Sequence, residues 1–244
     1  MKSLRSSRKG APIKPTPIPD PGGIAQLQLL RLVSPALPVG AFHYSQGLES
    51  AVEMGWVHDA ASAGDWIGGI AAHSLATLDL PMLVALHRCW VEGDVAGVDE
   101  LTARLHAARE SAELRAEDVA VGKALARLLC ASGIEKARPW SSAPQVTYAT
   151  SFSLAAEQHG IGARDCALGF AWSWCENQVL AAVKLVPLGQ TAGQLLLEKL
   201  IGQIPCWVEQ AFGLASKGEV HASSFLQLIA SCRHETQYSR LFRS

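Results

Sequence analysis

The chain has 244 residues, of which 49% are hydrophobic and 18% charged, with a formal net charge of −1. This length and apolar content suit one large domain with a sizeable core, and the near-neutral charge argues against a general nucleic-acid binder. So little charge also points to apolar surface used for association.

The six cysteines, at 89, 130, 166, 175, 206 and 232, form no C-x-x-C pair, which argues against a zinc knuckle or a thioredoxin-type site. They are expected as reduced thiols, mostly on apolar helix faces of a cytoplasmic protein. The N-terminus is polar and basic where a secretory signal is apolar. The best candidate for a membrane span, 68–86, is interrupted by His73 and Asp79, so no membrane partner is expected.

Residues 1–23 read as a basic, proline-rich tail. Lys2, Arg5, Arg8, Lys9 and Lys14 face only Asp20, and such a segment buries too little apolar area to offset its ordering entropy. An all-α domain is expected over 24–232, and a partner-docking segment over 233–244. The first helix is predicted over 24–33, with Leu27, Leu30 and Val33 on one side. Ser34-Pro35 ends it, because the residue before a proline avoids the α region. A second helix is predicted over 42–54, facing Leu48, Ala51 and Val52 inward and closing at Gly55. A third starts near Ser62 as N-cap and carries Trp66, Ile67, Ile70, Ala71 and Leu75 as its stripe. Asp79-Leu80-Pro81 reads as a further helix start, with Leu83, Leu86, His87 and Trp90 running on to Gly93.

Asp94 or Gly97 opens the next helix, with Leu101, Leu105 and Ala108 on one face. In the segment after it Leu114, Val121, Leu125 and Leu128 point inward. Arg109–Glu113 and Ser111–Arg115 are i,i+4 pairs expected on the outer side. Residues 133–144 form the clearest internal loop, joining two helical layers. Tyr148, Phe152, Ala155 and Ala156 predict a helix ending at Gly160, although Val146 and Tyr148 also suit an extended start. The longest apolar helix spans 163–186 and stops at Pro187-Leu188-Gly189. A helix with Leu197, Leu200, Ile201, Ile204, Val208, Ala211 and Phe212 follows, and a last short one holds Phe225, Leu226 and Ile229. Alternating strand patterns are almost absent. The fold class is therefore all-α, a single-domain bundle of roughly eight to ten helices.

Catalytic and metal signatures are sparse. The sequence has no G-x-x-x-x-G-K-[ST], no E-x-x-H and no H-E-x-x-H. Its histidines are scattered singly, and Cys232 with His234 is the nearest thing to a chelating pair, which does not close a four-coordinate site. His43-Tyr44-Ser45-Gln46-Gly47 approximates G-x-S-x-G. However, His43 replaces the first glycine and no buried strand precedes it, so Ser45 reads as a hydrogen-bonding residue on a helix surface.

Three stretches carry more than a core helix needs. Residues 32–57 hold Pro35, Pro38, Gly40 and Gly47, which suggest a rigid corner followed by a helix start whose outer face, with Tyr44, Ser45 and Glu49, is free for a partner. Lys184 sits in an apolar run, either snorkelling to the surface or presenting a point charge to a partner. The C-terminal segment interleaves Tyr238, Leu241 and Phe242 with Arg233, Arg240 and Arg243, beside His234 and Glu235. Tyrosine and arginine are preferred interface anchors, so this segment is expected to dock on another protein.

A set of ordered motifs gives these stretches a context. They are Ser34, Leu37-Pro38-Val39-Gly40, Tyr44-Ser45-Gln46-Gly47-Leu48-Glu49, Gly55-Trp56-Val57, Asp79-Leu80-Pro81, Arg109-Glu110-Ser111-Ala112-Glu113-Leu114-Arg115, Gly122, Lys184-Leu185-Val186-Pro187-Leu188-Gly189-Gln190 and the run from His234 to Ser244. In this order and spacing the chain resembles the UreF family of urease accessory proteins. The resemblance implies an all-α, non-catalytic, homodimeric scaffold that binds UreD (UreH), recruits the GTPase UreG and docks on apo-urease. It implies coupling of nucleotide hydrolysis to nickel transfer through the complex; the scattered histidines argue for at most transient nickel contacts along a passage, with no tight metal site or cofactor expected in this chain. Two other readings stay open: a bundle-core enzyme using His43, Tyr44 and Glu49 for acid–base work, and a stand-alone nickel-binding chaperone.

Overall fold

A computed structural model describes residues 21–243. The tail expected over 1–23 lies outside them except for its last three residues, which already form a helix start. Among the described residues the regular structure is helical and no strand occurs, so the all-α class holds.

α1 (Pro21–Leu32) packs through Leu29, Leu32 and Val33, while Ile24, Leu27 and Leu30 are exposed. The inward face is thus rotated from the Leu27–Leu30 stripe read from spacing. The cause is local: a Cβ on Gly169 would stand 2.6 Å from Leu29 Cδ1 and 3.1 Å from Val33 Cγ1, so the notch of that glycine selects which side of α1 seats. The predicted helix over 42–54 is also broken. A 3₁₀ turn, Ala41–His43, leads to left-handed backbone at Gln46 (φ 54°) and Gly47 (φ 88°), and only then does α2 (Leu48–Glu53) begin.

α3 (Ala60–Glu92) is the axis of the bundle. It starts at Asp59 rather than Ser62. Asp59 accepts the Ser62 N–H at 2.8 Å and Ser62 Oγ accepts the Asp59 N–H at 3.0 Å, so the two form a reciprocal capping box. Nor does the chain restart at Asp79-Leu80-Pro81. Ala71–Asp79 winds as a π-helix and runs into Leu80–Glu92. The Leu80 N–H reaches the Leu75 carbonyl, the i→i+5 bond of that form. Pro81 has no N–H to donate. The Thr77 carbonyl four residues before it accepts from the His221 N–H at 3.0 Å instead, and the His73 carbonyl accepts from Ser223 at 3.0 Å. A strap over 219–224 thus completes the hydrogen bonding of an irregular helix. α3 is long and apolar enough to cross a membrane by composition, yet 67% of its most apolar window is buried by its neighbours, as in a central core helix.

The remaining helices wrap this axis. α4 (Val95–Ala107) is capped by Asp94, α5 (Ala112–Ala131) by Ser111 and α6 (Tyr148–Gln158) by Thr147, each side chain accepting a first-turn N–H. α7 (Ala163–Leu185) is followed, after the expected Pro187-Leu188-Gly189 break, by two helices rather than one: α8 (Gln190–Ile201) and α9 (Ile204–Lys217), parted at Gly202-Gln203. α3 packs against α4, α6, α7, α8 and α9. The 133–144 loop holds two 3₁₀ turns, Glu135–Ala137 and Pro139–Ser141. Trp140 is buried there, edge-on to Trp90 at 5.8 Å between ring centroids. Cys89, Cys166 and Cys175 lie in the core, where burial pushes the Cys175 thiol up to about 12, whereas Cys206 and Cys232 are exposed.

Candidate functional site

The last helix, α10 (Phe225–His234), turns its polar side in. Gln227, Ala230, Ser231 and His234 are buried, while Phe225, Leu226 and Ile229 are 71%, 58% and 47% exposed. It seats on α2 and α5. Gly47 makes the contact: a Cβ there would meet the Ser231 nitrogen at 3.1 Å and the Gln227 carbonyl at 3.3 Å, and its positive φ is strained for any other residue. Ser231 Oγ shares a hydrogen bond with the α5 cap Ser111 Oγ at 2.7 Å.

Beyond Ser231 the buried side chains become ionisable. His234 is fully buried, with Nδ1 2.9 Å from Glu113 and Nε2 3.2 Å from Glu49. A ring with a carboxylate at each nitrogen donates to both only as imidazolium. Glu49, 8% exposed, also holds the chain end: it accepts the backbone N–H of Leu241 at 2.6 Å and of Phe242 at 2.9 Å. Arg240 reaches Glu113 at 3.0 Å, and the Arg243 N–H donates to the His43 carbonyl at 2.9 Å. Lys184 Nζ lies 5.6 Å from the centroid of the buried Phe242 ring, a cation–π contact. Residues from three separate parts of the chain, His43 with Glu49, Glu113 and Lys184, therefore latch the C-terminal segment onto the bundle.

A second polar group lies deeper. Arg109 donates to Asp79 on α3 and to Asp118 on α5, the latter at 2.8 Å. Asp118 also accepts the Tyr148 N–H at 2.6 Å. Burial pushes the Asp79 carboxyl up despite Arg109, while burial of Arg109 is outweighed by Asp118 and Asp79, which hold it charged. These residues line a pocket of about 90 Å³ between α3, α5 and α7, which Gln46 and Gln227 also border. Gln46 donates to Glu117 at 2.7 Å and accepts the Trp174 indole N–H at 2.9 Å.

Several residues sit otherwise than the sequence suggests. Tyr44, Ser45 and Glu49 are buried rather than on an outer face, and Ser45 Oγ accepts the Glu49 N–H inside the corner. Arg109 and Glu113 do not pair with each other. They serve different clusters, because Arg109 precedes α5 and turns back under it. Ser111 is a buried cap, and Arg115 returns to the Arg109 carbonyl. His43 bonds the Gly40 carbonyl while Glu49 faces His234, so the structure does not bring them together. Cys232 is exposed and His234 buried, so that pair diverges. Among the described residues no group of three or more His, Cys, Asp or Glu is placed to hold a metal. Lys184, Arg233, Glu235, Tyr238, Arg240, Leu241 and Arg243 are exposed around the latch.

Sequence reasoning missed Asp79, Glu117, Asp118 and Gln178. One signal was present: Glu117 and Asp118 fall on the same side of α5 as Leu114, Val121 and Leu125, where an acidic residue marks a buried polar site.

Comparison with known proteins agrees with this architecture. A model of the UreF family matches residues 57–201. The urease accessory protein UreF of Alkalilimnicola ehrlichii is 46% identical over 223 residues, covering 91% of this chain and 97% of the relative. That of Chromohalobacter salexigens is 43% identical over 229 residues, covering 93% and 98%. That of Psychrobacter cryohalolentis is 45% identical over 224 residues, covering 91% and 95%. With the motif order, the helical bundle and this coverage together, the chain belongs to the UreF family of urease accessory proteins.

Proposed function

We propose that this chain is a non-catalytic scaffold for nickel incorporation into apo-urease. It acts as a cytoplasmic homodimer that bridges UreD (UreH) and the GTPase UreG and modulates that GTPase. The observation that carries this reading is α10, whose large apolar side chains Phe225, Leu226 and Ile229 face out while Ser231 and His234 are buried and hydrogen-bonded within. An exposed apolar patch next to an aromatic, arginine-rich chain end has the composition of an interface core and its anchors. Tyr238 and Leu241 extend the patch, and the Glu49–His234–Glu113 latch holds it in place. UreD docks on this surface.

Lys184 lies at the rim of the latch, over Phe242, and presents its charge toward the GTPase side. Nickel is cargo of the assembly and passes through it without a tight site in this chain. Deleting Arg233–Ser244 and co-purifying with UreD tests the docking role. Loss of the complex is expected, and unchanged complex formation overturns it. Lys184→Ala, read by pull-down of UreG, is expected to weaken capture, and full retention assigns Lys184 to packing on Phe242 alone.

A further inference from the structure

We propose that the pocket between the π-helical part of α3, α5 and α7 is a binding site for a small guanidinium-type cation. Three independent features meet there. The first is the wall. Ile70 and Leu75, and likewise Ser74 and Asp79, are five residues apart and line the same pocket, because i→i+5 winding stacks them on one face. π-helical turns are uncommon and recur at functional sites. Here the π stretch brings Asp79 to the pocket and leaves the helix dependent on the 219–224 strap for its carbonyl bonds.

The second feature is charge. Asp79 and Asp118 share one cation, Arg109, so this buried triad carries one negative charge in excess. Arg109 reaches Asp79 through Oδ1, and Asp118 is bonded through both oxygens, to Arg109 and to the Tyr148 N–H. Burial pushes the Asp79 carboxyl up, and Arg109 opposes that shift.

The third is an orphan acceptor. Gln178 is 1% exposed and lines the pocket, and its Oε1 accepts no hydrogen bond among the described residues. Buried amide oxygens are almost always paired, so this one marks a place for a donor. The remaining wall is aromatic, from Tyr148, Phe170 and Trp174. A flat cation fits such a site better than a round one. Its edge carries N–H donors that reach a carboxylate and an amide oxygen, and its faces lie against rings. The pocket of about 90 Å³ has room for a ligand of about five heavy atoms.

The test is calorimetric titration of the full chain with methylguanidinium at low millimolar concentration, beside methylurea, its neutral isostere. Saturable binding of methylguanidinium is expected, with methylurea weaker by about tenfold or more. Equal affinity for the two, or no saturable binding, overturns the proposal. Gln178→Met removes the orphan oxygen and keeps the length of the side chain. It is expected to weaken methylguanidinium by about tenfold while the melting temperature holds or rises, because an unpaired buried acceptor is gone. Unchanged affinity in a folded Gln178→Met chain also overturns it. The comparison of the two ligands on the unaltered chain stands whether or not the variant folds.

Discussion

The side of the bundle around α4, α6 and the second half of α3 follows one rule, and the side around α2, α10 and the chain end follows the reverse. In the first, Leu83, Leu86, Leu105 and Phe152 are buried, and the polar side chains beside them, His87, Thr102 and Thr150, are buried and hydrogen-bonded within. In the second, Gln227, Ser231, His234 and Glu49 are buried while Phe225, Leu226, Ile229 and Leu241 face out. The first side keeps its large apolar side chains and its hydrogen-bonded polar groups inside alike. The second uses its own polar groups to hold a shape and leaves apolar area for something else to cover. On the proposed scaffold reading, this inversion follows because the largest apolar gain of α10 comes on association.

The strongest way to sharpen the contrast is to break each side by its own chemistry. Arg109→Ala strands Asp79 and Asp118 without their cation and is expected to cost about 3–5 kcal/mol in denaturant unfolding. Leu125→Ala, fully buried on the inward face of α5, is expected to cost about 2–5 kcal/mol by leaving a cavity. A near-neutral Arg109→Ala contradicts the view that the polar interior stabilises the fold. Glu49→Gln is a smaller change, expected to cost about 1–3 kcal/mol by weakening charged hydrogen bonds. Its effect is local: the Leu241 and Phe242 amides should lose hydrogen-exchange protection while those of α6 keep theirs. Uniform protection in the variant removes the latch from the account.

The smallest effect is one of pH, on the apolar side. Burial, with Arg31 adding to it, holds His159 below its ordinary 6.5. The unfolded chain therefore binds the proton first as pH falls. Stability is fully present above 6.5 and declines as pH drops toward the lowered value. His159→Gln should flatten that slope, and an unaltered pH profile sets His159 aside.

Much of the first side was legible from spacing. The stripe Trp66, Ile67, Ile70, the αL stop at Gly93, the Asp94 start and the 163–186 helix all lie where periodicity and capping put them. What escaped depends on long-range partners. Pro81 reads as a helix start because the sequence does not reveal that residues 219–224 supply the N–H groups an irregular helix needs. Arg109 and Glu113 read as a surface pair because i,i+4 spacing holds only inside a helix, and α5 begins at Ala112. Tyr44 to Glu49 read as an outer face because the chain end that covers Glu49 lies more than 190 residues away. The C-terminal stretch stood out as unusual by composition, but its attachment to Glu49 and Lys184 required the fold.

The central claim is that the outward apolar face of α10 exists for a partner. The direct test is the triple variant Phe225→Ser, Leu226→Ser and Ile229→Ser, co-expressed and co-purified with UreD. Surface changes of this kind usually move stability by no more than about 0.5 kcal/mol each, so the melting temperature and helical signal should stay close to those of the unaltered chain. The account predicts a folded protein that no longer captures UreD. A folded triple variant that co-purifies with UreD as well as the unaltered chain does would contradict it.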